Sequence, residues 1–141
     1  MKILPLSCTI LALLFLSCST PQSLPDQILG NFEDDYGIRY EITNHAFTMQ
    51  PNSIYHIVEI NNDQQFLIAQ NDANNKYDPE LYTRIDWVNF EDMQPFQWGF
   101  CISAYNASSP DSIKSVKNIN REAPKTGCNG YPFSRMKPIQ S

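Results

Sequence analysis

Tyr55-His56-Ile57-Val58-Glu59-Ile60, then Asn61-Asn62-Asp63, then Phe66-Leu67-Ile68-Ala69-Gln70: this stretch decides the fold class. Two runs rich in β-branched and aromatic residues flank a cluster of Asn and Asp. That is the pattern of a hairpin, because a pleated half-buried surface suits the first kind of residue and a tight turn suits the second. No helical spacing of apolar positions competes with it.

The same grammar extends in both directions. Leu29-Gly30-Asn31-Phe32-Glu33 starts a first strand, and Asp34-Asp35-Tyr36-Gly37 is a turn. Ile38-Arg39-Tyr40-Glu41-Ile42 alternates, with Ile38, Tyr40 and Ile42 on one face. Ala46–Met49 follows the turn at Asn44-His45, and Pro51-Asn52-Ser53 breaks the chain before Tyr55. Beyond the polar loop 71–79 come Leu81–Val88 and Gln97–Ala104, for seven short strands in all. Sequential hairpins leave exposed edges unless the sheet closes. The expectation is therefore an all-β antiparallel meander, forming a small curled sheet or an up-and-down barrel, with an open sandwich as the alternative. One short C-terminal helix is predicted after Ser109-Pro110-Asp111, which supply a cap, a first-turn proline and a first-turn acid. Ile113, Val116 and Ile119 would be its apolar stripe.

The N-terminus carries a different signal. Lys2 precedes the apolar run Ile10–Leu16, and Ser17-Cys18 is followed by polar residues. A basic start, a brief apolar core and a small residue mark a secretory signal, and the run is far short of the ~20 residues needed to span a bilayer. Phe15-Leu16-Ser17-Cys18 resembles the lipobox of bacterial lipoproteins, with Phe15 where leucine is commoner. Leu6-Ser7-Cys8 lies too early, before the apolar run. The resemblance implies cleavage after residue 17, acylation (palmitate) of Cys18 and anchoring in the cell envelope; Ser19, not aspartate, after the cysteine favours the outer membrane. The expected organisation is a signal over 1–17, a flexible tether over 18–27, one β domain over 28–137 and a frayed end over 138–141.

Charge and cysteines narrow the function classes. The chain is net −5; loss of Lys2 with the signal leaves nine basic residues against fifteen acidic ones, or −6. Such a surface argues against nucleic acid and anionic lipid as partners. Lys114, Lys117, Arg121 and Lys125 are spaced out and read as a solvated face. With Cys8 removed and Cys18 acylated, Cys101 and Cys128 remain as a pair in an oxidising compartment, where a disulfide is predicted. It would close a loop of roughly 28 residues and contribute ~3.5 kcal/mol on the chain-entropy account.

Ile68-Ala69-Gln70-Asn71-Asp72, Tyr82-Thr83-Arg84-Ile85-Asp86-Trp87, Trp98-Gly99-Phe100-Cys101 and Gly127-Cys128-Asn129-Gly130-Tyr131-Pro132-Phe133 give the mature domain its character. In these motifs the chain resembles a group of uncharacterised small secreted proteins and lipoproteins of bacteria, a likeness that implies no activity. Gly30-Asn31-Phe32 is similar to the Gly-x-Trp first strand of lipocalins.

Candidates for chemistry are few. Tyr82, Arg84 and Asp86 share one face of a strand, with Leu81, Thr83, Ile85 and Trp87 on the other. If the Leu/Ile/Trp face is the core, Arg84 and Asp86 form an exposed pair; if the other face lines a barrel, they anchor a ligand. His56, in phase with Val58 and Ile60, should point inward as a satisfied core residue; a cleft around it is the enzyme alternative. Asp34-Asp35 and Glu91-Asp92 read as solvated turn acids, and the Asn71–Asn75 loop as turn chemistry, not a Ca²⁺ loop. Two histidines cannot make a zinc site, and no Gly-x-Ser-x-Gly, Walker or Rossmann loop is present. No metal or cofactor is expected. The reading is a non-catalytic, membrane-anchored envelope lipoprotein whose β domain binds a small molecule or an envelope protein.

Overall fold

A computed structural model describes residues 20–140. The lipobox, Cys18 and the start of the tether lie outside the described residues. Eight strands follow one another as an antiparallel meander: β1 (Gly30–Asp34), β2 (Arg39–Ile42), β3 (Ala46–Met49), β4 (Ser53–Asn61), β5 (Phe66–Asn71), β6 (Tyr82–Asn89), β7 (Trp98–Ala107) and β8 (Ser134–Pro138). Each pairs with its neighbours in sequence, and β8 pairs with β1 through Phe32↔Pro138, Glu33↔Lys137 and Asp34↔Met136. The sheet is thus a closed, lipocalin-like up-and-down barrel with no free edge along the paired register.

The interior is solid. Phe32, Tyr40, Ile42, Phe47, Leu67, Ile85, Trp87, Trp98, Phe100 and Met136 form one buried cluster. Phe32 meets Trp98 edge-on at 5.2 Å and 89°, and Phe100 lies 5.3 Å from both Tyr40 and Phe47. Offset and edge-on pairs of this kind add to burial by aiming ring edges at ring faces. Below them, Leu24 and Ile28 close one end of the barrel.

Several expectations change. The seven strands become eight, because β8 was not legible as a strand. The predicted helix after Ser109 is only a 3₁₀ turn over Asp111–Ile113. Ser109 makes no side-chain cap, and the turn is closed by the Ile113 N–H donating to the Pro110 carbonyl. The next carbonyls, of Ile113 and Lys114, which a longer helix would use as acceptors, are bonded by Arg84. The tether is pinned at one point, though most of its described residues are exposed: Leu24 is buried, its N–H donates to Asn44 Oδ1, and Asn62 bonds the Gln22 side chain and the Ser23 carbonyl. At the other end, the Ile139 N–H donates to the Asn31 carbonyl.

Local irregularities re-aim two more residues. The β4–β5 register shifts between Ile57 and Glu59, leaving Val58 as an extra residue. The bulge inverts the alternation. Tyr55, Ile57 and Ile60 therefore pack on the core, while His56 is exposed and not inward as its phase suggested. Asp34 is no solvated turn acid: it is buried and accepts from the Tyr36 and Ile38 N–H groups and from the Tyr40 hydroxyl.

Candidate functional site

β5 has two buried faces. Leu67 and Ala69 enter the barrel core, whereas Phe66 and Ile68 face out and pack on Ile113, Tyr82, Ala104 and Ala107. What covers them is the long β7–β8 connection, residues 108–133, laid across the outer wall. The alternation in β6 follows: Ile85 and Trp87 point into the core, so Arg84 and Asp86 point outward, beneath this connection. They are neither an exposed pair nor a lining of the barrel.

The geometry is that of a clasp. Arg84 Nε and Nη2 each donate to Asp86 at 2.9 Å, and Nη1 donates to the carbonyls of Ile113 and Lys114. The guanidinium carbon sits 3.7 Å from the centroid of Phe66, a desolvated cation–π contact. Arg121 Nη2 donates to Asp86 Oδ1 at 2.6 Å and to the Gln65 carbonyl, while its Nε donates to the Trp87 carbonyl. The Ser103 hydroxyl donates to Asp86 Oδ2. A guanidinium has five N–H donors, and most of those of Arg84 are committed within the chain. Both Asp86 oxygens are likewise occupied. Nothing in the cluster is left aimed at a ligand, and Tyr82 packs on Ile113 beside it. Chemically, the arrangement fastens backbone to barrel.

Arg121 was read as solvated, and no sequence pattern marks it or Ser103 as partners of Asp86. Lys114 stays on the solvated face, where it pairs with Glu59 at 3.2 Å and Asp111 at 3.0 Å, and these hydrogen bonds, Asp111 first, raise its pKa. The Cys101–Cys128 disulfide is present and fixes the far end of the same connection. Cys128 bridges Ile119 and Tyr131 there, and Gly127 runs so close to the Asn120 carbonyl that any Cβ would collide with it.

His56 is not drawn into this cluster. Its Nε2 lies 2.7 Å from Asp72 Oδ2 on the surface. The hydrogen bond with His56, then those from the Asn74 backbone and side chain, hold the Asp72 carboxyl below the usual carboxylate range. Asn71 and Asn75 spend their side chains on the loop itself: Asn71 binds Thr83 and the Asp78 carbonyl, and Asn75 binds both backbone groups of Ile54. No group of three or more His, Cys, Asp or Glu side chains that could hold a metal ion occurs among the described residues. Glu91 and Asp92 are exposed turn acids as read.

The concave features lie outside the barrel. A groove of about 710 Å³ runs along the wall beside β8, lined by Asp35, Tyr36, Phe90, Met93, Pro124, Lys125, Pro132, Phe133 and Arg135. Arg135 is pre-set there by Asp35, with Nη2 to Oδ1 at 2.7 Å, and stacks 4.3 Å from Phe96. A second groove of about 440 Å³ lies between Pro21–Ser23 and the bulged part of β4. None of the buried interior aromatics lines either one. Comparison with known protein families, with curated proteins and with solved structures finds no match.

Proposed function

We propose that this chain is a bacterial envelope lipoprotein, acylated at Cys18, whose non-catalytic barrel binds an envelope protein through its outer wall. The observation that carries the partner over the small ligand is the filled interior. A ligand-binding barrel keeps a cavity, typically of several hundred Å³, where this one has Trp87, Trp98, Phe47 and Phe100 in contact. The wall groove is an open concavity, with Tyr36 and Arg135 at its border and Tyr36 80% exposed. Exposed tyrosine beside a pre-set arginine suits protein contacts. The lipobox residues supply the anchor, and the packed Leu24 the short reach from it.

Two experiments test the two halves. Intact mass spectrometry of membrane-extracted protein should give an acylated chain starting at Cys18, heavier by two hydrogens after reduction. Titration with fatty acids and other apolar small molecules, followed by tryptophan fluorescence, should leave Trp87 and Trp98 unchanged, since both are 1% exposed in the core. A saturable fluorescence change would restore the interior-ligand reading.

A further inference from the structure

The strap at the N-terminus decides more than the anchor's reach. Leu24 is buried at one end of the barrel, bonded to the β2–β3 turn through Asn44, while Gln22 and Ser23 are bonded to the β4–β5 turn through Asn62. Gln27 reaches the Gln97 carbonyl at the start of β7. All of these belong to the same rim, where β1 begins and β8 ends. Five residues separate Cys18 from Leu24, so a fully extended chain spans at most ~20 Å between them.

We infer that this rim faces the lipid and that the barrel stands on the membrane with the opposite rim, formed by the β1–β2 and β3–β4 turns and the Asp72–Leu81 loop, pointing away. The inference rests on acylation at Cys18. The rim also selects its lipid. The segments that form it, residues 20–29, 43–45, 62–65, 90–97 and 139–140, contain Asp26, Asp63, Glu91 and Asp92 and no Lys or Arg. These segments set four acids against His45, and Arg121, which reaches the Gln65 carbonyl from outside them, is already paired with Asp86, so anionic headgroups are repelled. It suits a zwitterionic surface, and the strap, not charge, holds it there. The wall groove then lies on the flank of the barrel, accessible to a neighbour anchored in the same leaflet.

Labels at two exposed turns test this. Gln64→Cys lies on the near rim and Ala73→Cys on the far one. In the acylated protein each would be the single free thiol. The acylated variants, labelled with a donor fluorophore, are inserted into phosphatidylcholine vesicles carrying a trace of rhodamine-labelled phosphatidylethanolamine. A nine-residue strand such as β4, at ~3.4 Å per residue and tilted by ~40°, separates the rims by about 20 Å. Energy transfer should therefore place position 64 closer to the lipid plane than position 73 by about that distance. Equal distances, or the reverse order, in protein shown by mass to be acylated would overturn the orientation alone. A chain without acylation that fails to float with vesicles would remove the anchor, and the orientation with it.

Discussion

Replacing Asp86 with alanine should be among the most damaging single changes in this protein. The carboxylate is fully buried, and it answers two guanidinium groups and a hydroxyl. Its removal leaves Arg84, whose side chain is 6% exposed, as a buried cation without a counter-charge. Breaking a buried pair in this way costs ~3–5 kcal/mol, against a total stability of ~5–15 kcal/mol for a domain. Arg121 suffers less, because a quarter of its side chain reaches solvent and two carbonyls still hold it. In urea, with an m value of about 2 kcal/mol/M, the midpoint should fall by about 2 M. Tryptophan fluorescence and far-UV circular dichroism should report the same transition. The double variant Arg84→Met/Asp86→Leu separates a buried charge from lost packing. It removes both ions, keeps an alkyl chain against Phe66, and should be more stable than Asp86→Ala alone. An Asp86→Ala midpoint within about 0.5 M of the parent, or a double variant no better than the single one, would refute the clasp.

Cys101→Ser/Cys128→Ser opens a loop whose ends are 27 residues apart and should lower stability by ~3.5 kcal/mol, read from urea midpoints, with the 108–121 half still held by the clasp. Burial, then the hydrogen bond to Asp34, keeps the Tyr40 hydroxyl protonated well above the ordinary tyrosine range. Its pKa is raised in the fold, so the stabilisation is complete below the unfolded value near 10 and is lost as pH rises beyond it. Alkaline unfolding should accordingly steepen above about pH 10 in the parent, and less so in Tyr40→Phe. That variant, which strips a partner from buried Asp34, should be ~1–3 kcal/mol less stable at neutral pH. The Asp72 carboxyl is depressed by its bond with His56, and what that bond adds is present above the unfolded carboxylate pKa and fades as pH falls through the folded one. In His56→Ala, carboxyl-carbon NMR should show Asp72 titrating higher than in the parent; an unmoved titration would mean that Asn74 alone sets it.

How much of this was legible follows from what periodicity can carry. Arg39-Tyr40-Glu41-Ile42 showed its faces because nothing interrupts it, whereas Ile38, before the strand begins, is exposed. The β4 alternation failed at a single inserted residue, Val58, which is chemically no different from its neighbours, so His56 was assigned the wrong side. β8 offers one buried residue, Met136, among Ser134, Arg135, Lys137 and Pro138, too little apolar pattern to signal a strand that exists by pairing with two others. The helix signal at Ser109–Asp111 yields only one 3₁₀ turn, uncapped by Ser109, whose following carbonyls are bonded by a side chain 29 residues upstream. The clasp was half visible: placing Arg84 and Asp86 on the face opposite Ile85 and Trp87 was right. What covers that face depends on where residues 108–133 travel, and no local pattern encodes that path. Cysteine arithmetic succeeded because it needed only compartment and parity.

Closure between the first and last strands carries a consequence for biogenesis. Phe32 meets Pro138, so the ring cannot form until β8 has emerged. Phe66 and Ile68 stay uncovered until the segment beyond β7 arrives. Pairings this distant in sequence are slow to find, and intermediates with naked strand edges aggregate. Until β8 arrives the chain stays open, sticky on both faces of β5. Loss of β8, by premature termination or proteolysis, would leave a seven-strand sheet with two open edges, prone to aggregate, instead of a slightly shorter barrel.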